Sequence, residues 1–316
     1  MGMESYKEKN IVESTIKHLE SEPVAIAMRI NTTVRASMSK KLRWMGFMEI
    51  PPVIYSMVTD PLNHPVYDPR FMYEGTEYAL TKSMIFHKQI LVKKFPKIYT
   101  FSPNVRLEKP DKKKTGRHLL EFTQLDLEVR DASREDVMDI AESIIREAVD
   151  DVKELHSEDL ARLERNISLP EGKFRKYRYM ELKDKYGPDF EAEASSREKY
   201  PFWIIDIPMK EREFYDREKE DEPGILRDMD LIYPEGFGEG ISGGEREYKL
   251  ERILERIRAK EQDPEQFRIF TEIASQGLYP SAGFGIGIER FIRYICGYSR
   301  IEYTHPFPKI PGEISL

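Results

Sequence analysis

The run Ser281-Ala-Gly283-Phe-Gly285-Ile-Gly287 has the alternation of a strand, and Ile288-Glu289-Arg290 follows it at once. Alternate glycines strip one face of a strand of side chains, so a flat ligand can lie against the backbone. An arginine on the first turn of the next helix can then stack on a base and reach a phosphate. The same glycines would equally serve close packing of strand against helix. The spacing is not the Gly-x-Gly-x-x-Gly of a dinucleotide fold, and no early βαβ unit contains it, so that reading is set aside. Two other stretches gather charge. Arg106-Leu-Glu108 runs into the basic connection Lys109 to Lys114 and then Arg117-His118 and Glu121-Phe122, while the glycine-rich stretch Gly236 to Arg246 carries Glu239 and Ser242.

These residues need elements to hold them. Ile26, Ile30, Val34, Met38 and Leu42 recur at near-helical spacing, predicting a helix from about Val24 to Trp44 that Ser21-Glu22-Pro23 precedes and Gly46 ends. A short polar helix from Tyr6 to Leu19 comes before it. Phe47 to Pro52 reads as a strand stopped by prolines, Tyr78 to Phe95 as a helix, and Ile98 to Phe101 as the start of a strand. Phe122 to Val129 alternates with period two, so Arg106 to Arg130 reads as two antiparallel strands around a cationic loop. Helices are expected from Ser133 to Leu155 and from Arg178 to Tyr186. Asp189 to Lys199 reads as a loop, Trp203 to Pro208 as a strand, Glu211 to Leu226 as a charged excursion, and Ile288 to Gly297 as a helix.

Composition bounds the function. With 316 residues, 40% hydrophobic and 34% charged, the chain can bury a sizeable core. A net charge of -7 argues against a broad nucleic-acid-binding face, because such binding draws on Lys and Arg clusters. The single cysteine, Cys296, excludes an intramolecular disulfide and a cysteine-rich zinc site. No apolar run reaches membrane-spanning length and the first residues carry no signal-peptide core, so no membrane partner and a cytoplasmic location are expected.

Val105-Arg106-Leu107-Glu108, the basic loop and Arg117-His118-Leu-Leu-Glu121-Phe122 together resemble motif 2 of the class II aminoacyl-tRNA synthetases. Gly283 to Arg290 resembles their motif 3, and Gly46 to Pro52 after its long helix resembles motif 1. The run from Arg117 to Asp126 points to the aspartyl, asparaginyl and lysyl branch. The resemblance implies an α/β (α+β) fold, a mainly antiparallel sheet flanked by helices, with residues 1–22 an N-terminal helix and linker and 23–316 the catalytic domain. It also implies a homodimer through motif 1 and joining of an amino-acid carboxylate to AMP. By the same resemblance ATP would be held by Arg106, Glu108, Arg117, His118, Phe122, Glu239 and Arg290, with Arg106 and Arg290 catalytic. Magnesium would sit at Glu239 and Ser242, with Asp230 a weaker match. Lys88, Asp126, Arg246 and Ser83 would form the amino-acid pocket, where two cations favour aspartate. The sequence departs from the family pattern at Ile85, where a glutamine is expected, and at Ser281, where a histidine is expected.

The synthetases of this branch carry an anticodon-reading β-barrel before motif 1, and here motif 1 begins almost at the start. The chain is similar to the ammonia-dependent asparagine synthetases and the archaeal asparagine synthetase-related proteins, which lack that barrel. The reaction expected on that ground converts aspartate, ATP and ammonia to asparagine, AMP and pyrophosphate, with no tRNA as partner. The alternative is a paralogue of the aspartyl and asparaginyl enzymes that passes the activated amino acid to tRNA or another acceptor.

Overall fold

Period-two alternation builds the floor of this molecule. Leu125, Leu127 and Val129 alternate with Gln124, Asp126 and Glu128, and Ala282, Phe284 and Ile286 alternate with Gly283, Gly285 and Gly287; the apolar set of each strand joins the main core. One face of the sheet is therefore hydrophobic and the other polar. The computed structural model describes residues 2–316, with side chains from residue 10 onwards.

The strands are β1 (Met48–Glu49), β2 (Tyr55–Ser56), β3 (Arg70–Tyr73), β4 (Thr76–Leu80), β5 (Lys97–Val105), β6 (Glu121–Arg130), β7 (Arg175–Arg178), β8 (Phe202–Ile205), β9 (Asp228–Tyr233), β10 (Gly238–Glu245) and β11 (Ser281–Gly287). The helices are α1 (Gly2–Leu19), α2 (Glu22–Trp44), α3 (Ile85–Leu91), α4 (Arg134–Leu155), α5 (Ser157–Arg162), α6 (Tyr179–Tyr186), α7 (Phe190–Arg197), α8 (Leu250–Ala259), α9 (Arg268–Ala274) and α10 (Ile288–Cys296). Eight strands form one sheet in the order β1-β5-β6-β11-β10-β9-β8-β7, and β2-β4-β3 form a small second sheet. Pairing in the large sheet is antiparallel except at its two edges, β1 with β5 and β7 with β8. This is the mixed α/β architecture, mainly antiparallel and flanked by helices, that the sequence predicts.

Helices α2, α4 and α10 cover the apolar face. Helix α4 starts on a capping box, in which the Asp136 backbone N–H donates to Ser133 Oγ (3.2 Å) and the Ser133 N–H donates to Asp136 Oδ2 (2.8 Å). Its stripe of Val137, Met138, Ala141, Ile144, Ile145, Val149 and Val152 is buried, each large side chain contributing roughly 1.5–3 kcal/mol. The apolar stripe of α2 is turned inward against α4 and buried within this chain.

Two local readings change. The helix expected from Tyr78 begins only at Ile85, because Glu74 and Gly75 both take positive φ (47° and 75°) and close a two-residue hairpin that draws Thr76–Leu80 into a strand. The loop expected over Asp189 to Lys199 contains α7, whose Phe190 and Ala194, four apart, pack into a satellite core with Leu182, Phe202 and Ile204.

Candidate active site

On the polar face of the sheet lies a cavity of about 370 Å³. It gathers Ser83, Lys88, Arg106, Glu108, Arg117, His118, Asp126, Glu239, Ser242, Arg246 and Arg290, residues that the sequence scatters over more than half its length. Phe122 lines a narrow cleft of about 50 Å³ shared with Arg106, Glu239 and Arg290. Asp230 lines neither cavity.

One end of the cavity is a closed lattice of charges. Helix α3 delivers Lys88, whose Nζ donates to Asp126 Oδ1 (2.7 Å) and lies 3.9 Å from Glu128 Oε2. Arg246 is 3% exposed and reaches Glu128 Oε1 (3.2 Å), Asp216 Oδ1 (3.0 Å) and the Gly283 carbonyl (2.9 Å). Ser281, in place of the histidine, donates to Glu128 Oε1 (2.8 Å). A Cβ on Gly283 would stand 2.1 Å from Glu128 Oε2. At this position the bare backbone thus makes room for the protein's own carboxylate rather than for a ligand. Ser83 Oγ donates to Asp60 Oδ2 (2.8 Å), and Ile85 lines the cavity beside it.

The other end holds cations with few partners. Arg290 Nη1 reaches Glu239 Oε1 (3.2 Å), Arg117 Nη1 reaches Glu191 Oε1 (3.3 Å), and Arg106 Nε donates to the Lys82 carbonyl (3.0 Å) with its guanidinium carbon 5.2 Å from the centre of the Phe122 ring. Burial, then Arg290 and Arg117, push His118 down to about 3, so it is neutral here. Burial and the neighbouring Arg117 and Arg106 likewise hold Arg290 below its ordinary value, against the pull of Glu239. Burial alone would raise Glu239, but Arg290, Arg117, Arg212 and Arg106 outweigh it and keep the carboxylate ionised. Such a surplus of positive charge suits polyphosphate.

Glu239 and Ser242 lie three residues apart on β10, which in a regular strand would send them to opposite faces. A bulge corrects this: Glu239 pairs with Ile232 and Ile241 with Leu231, leaving Gly240 as the extra residue. A Cβ on Gly240 would stand 2.0 Å from the Tyr233 ring. Asp230 is paired instead with Arg212 Nη2 at 2.5 Å and is pushed up to about 6 by burial and by Glu239. Among the described residues no group of three or more His, Cys, Asp or Glu is arranged to hold a metal. Two oxygen donors, Glu239 and Ser242, fit a magnesium ion that arrives on a triphosphate and keeps phosphate and water ligands.

Several lining residues escaped the sequence reading. Arg212 and Asp216 lie within the stretch taken for a charged excursion, and Arg212-Glu-Phe-Tyr-Asp216 interleaves charges with aromatics whose rings, Phe214 among them, pack on Phe86. That interleaving was the available signal. His64 comes from the Val58 to Asp68 connection, and its Nε2 lies 3.0 Å from Glu108 Oε1. Burial pushes Glu108 up, but His64, His118 and Arg106 outweigh it and leave it below the ordinary carboxylate range.

This geometry has relatives. The profile of the tRNA synthetases class II (D, K and N) matches residues 7–311. The chain is 31% identical over 271 residues to the asparagine–tRNA ligase of Sorangium cellulosum, covering 77% of this chain and 60% of that protein. It is 25% identical over 313 residues to that of Pyrococcus abyssi, covering 94% and 71%. Among solved structures it is similar to asparaginyl-tRNA synthetase from Pyrococcus horikoshii complexed with asparaginyl-adenylate (TM-score 0.88, 23% identity, 97% of this chain and 73% of that one). It is also similar to aspartyl tRNA synthetase from Entamoeba histolytica (TM-score 0.78, 20% identity, 94% and 61%). The chain thus spans 60% of the length of the Sorangium relative.

These matches overturn the expected ammonia-dependent asparagine synthetase and, with it, the expected lack of a tRNA partner: the relatives are asparagine–tRNA ligases. The expectation rested on what lies ahead of motif 1, and where a sequence begins carries no information on the reaction its site performs. Among the described residues no helix is long and apolar enough to cross a membrane. The chain belongs to the tRNA synthetases class II (D, K and N) and has the catalytic-core fold of their aspartate and asparagine branch.

Proposed function

We propose that the chain activates asparagine with ATP and passes it to tRNA. The observation that carries the choice of amino acid is the charge balance around Arg246. Two cations, Lys88 and Arg246, face three carboxylates, Asp126, Glu128 and Asp216. The ammonium group of an incoming amino acid restores neutrality against Asp126, and an uncharged carboxamide side chain preserves it. An aspartate side chain would bring one further negative charge into a buried site, where an unpaired charge costs several kcal/mol. The two cations that favour aspartate in the sequence are already neutralised.

In the activation step an oxygen of the amino-acid carboxylate attacks the α-phosphorus, and the bond to pyrophosphate breaks. Arg106 and Arg290 offset the repulsion between carboxylate and phosphate, and Arg117 lies towards the outer phosphates. His118, kept neutral, offers one ring N–H as a donor and brings no charge of its own. Adenine would slot between Phe122 and Arg290, its edge on Glu108 once His64 yields. Glu239 and Ser242 would hold magnesium, whose charge would ease the approach of the carboxylate to the phosphate.

The test is exchange of labelled pyrophosphate into ATP with asparagine or aspartate, followed by transfer of the labelled amino acid to tRNA. Asparagine-dependent exchange and asparaginyl-tRNA are expected. Exchange driven by aspartate alone would refute the charge-balance argument.

The homodimer belongs to the same proposal. Tyr55, Phe71 and Tyr78 cluster on the small sheet with ring centres 5.4–5.9 Å apart, and Met72 and Tyr73 beside them are 62% and 64% exposed. A second copy would cover this patch. Light scattering at micromolar concentration should give twice the chain mass, and Phe71→Glu should shift it towards the monomer.

A further inference from the structure

A second cavity, of about 590 Å³, adjoins the first and shares with it Leu62, Asn63, His64 and Glu213. Glu213 is the one carboxylate among the described residues that lines both. It is 5% exposed, its Oε2 accepts from Gln262 Nε2 (2.9 Å), and no cation lies within ion-pair distance of it among the described residues, Lys260 acting on it only from farther off. The activation step gives it no work. The second cavity is otherwise rich in cations. Arg70 and Lys82 are tied to Asp68, but Lys210 and Lys260 pair with no carboxylate among the described residues.

We propose that this second chamber seats the acceptor of the activated amino acid, with its phosphates towards Lys210 and Lys260, and that Glu213 takes the proton of the attacking hydroxyl. This rests on the activation chemistry proposed above. The hydroxyl oxygen bonds to the carbonyl carbon of the adenylate, the bond from that carbon to the phosphate oxygen breaks with its electron pair leaving on AMP, and the hydroxyl proton passes to Glu213 and then to water. A carboxylate that lines both chambers stands between the two reactants, where a general base must be. Burial, with Asp60 and Asp216 adding to it against Gln262 and Lys260, raises Glu213 above its ordinary value, which makes it a stronger base.

The experiment separates the two half-reactions. Adenylate is formed on the enzyme, freed of excess substrate, and mixed with deacylated total tRNA in a single turnover, while pyrophosphate exchange is followed in parallel. For Glu213→Gln, transfer should slow by about 100-fold, and by at least about tenfold more than exchange slows. Equal losses in both, or no loss in transfer, would overturn the role of Glu213. The double variant Lys210→Ala, Lys260→Ala should raise the tRNA concentration needed for half-maximal transfer several-fold; an unchanged requirement would overturn the seating of the acceptor. No exchange in the unmodified protein would overturn the activation reading itself, a result distinct from each of these.

Discussion

The two ends of the catalytic cavity solve opposite electrostatic problems on one sheet. Around Arg246 each buried cation already has its carboxylates: Lys88 has Asp126, and Arg246 has Glu128 and Asp216. Around Arg290 the cations outnumber their partners, and burial, with this crowding added to it, keeps His118 neutral and lowers Arg290 itself. A buried pair that is complete holds its geometry and selects by shape and charge balance. A surplus left open is a standing demand for an anion, met only when substrate binds. The first end is part of the folded protein's own stability, and the second is stability withheld until the ligand arrives.

Arg246→Leu tests that contrast most severely. It leaves Asp216 buried without its paired cation and Glu128 with only Lys88 at 3.9 Å, and denaturant unfolding should show a loss of about 3–5 kcal/mol. A loss below about 1 kcal/mol would erase the distinction between the two ends. Arg290→Ala and Arg106→Ala should do the reverse: thermal unfolding close to that of the unmodified protein, but pyrophosphate exchange down roughly 100- to 1,000-fold. Acid comes next. His118 in the folded chain titrates near 3 against 6.5 in the unfolded chain. The unfolded state therefore takes up a proton first, and the stability present above pH 6.5 is lost as pH falls towards 3. In His118→Asn the urea midpoint should drop less between pH 7 and pH 4.5. The smallest effect belongs to Glu191→Gln, since the Arg117–Glu191 pair is a third exposed on each side. Stability should change by less than about 1 kcal/mol, while the freed Arg117 lowers the KM for ATP.

What the sequence disclosed divides along the same line. Arg106, His118 and Arg290 stand in local patterns, an arginine two residues before a glutamate or after a glycine-rich strand, and local patterns survive in one dimension. The partners of Arg246 do not: Glu128 is 118 positions away and Asp216 is 30, and only the finished sheet joins them. Glu128 was visible as a polar residue on an alternating strand, yet nothing nearby told which cation would lie on it. The fold was legible where period and caps agreed, as in α4. It was misread from Tyr78 to Leu80, which the Glu74-Gly75 turn draws into a hairpin strand, and at α7, where a polar surface hid the Phe190 and Ala194 pair.

The bulge at Gly240 has a consequence for how such a site can change. Because Gly240 is supernumerary, losing its single codon would return β10 to strict alternation with Glu239 still opposite Ile232 and two residues before Ser242, on the same face. Ser242 and the residues after it would keep their register with β9. A lineage could in this way drop one codon from an active-site strand and keep its nucleotide chemistry, the strand's length being free to vary by one where its side chains are not.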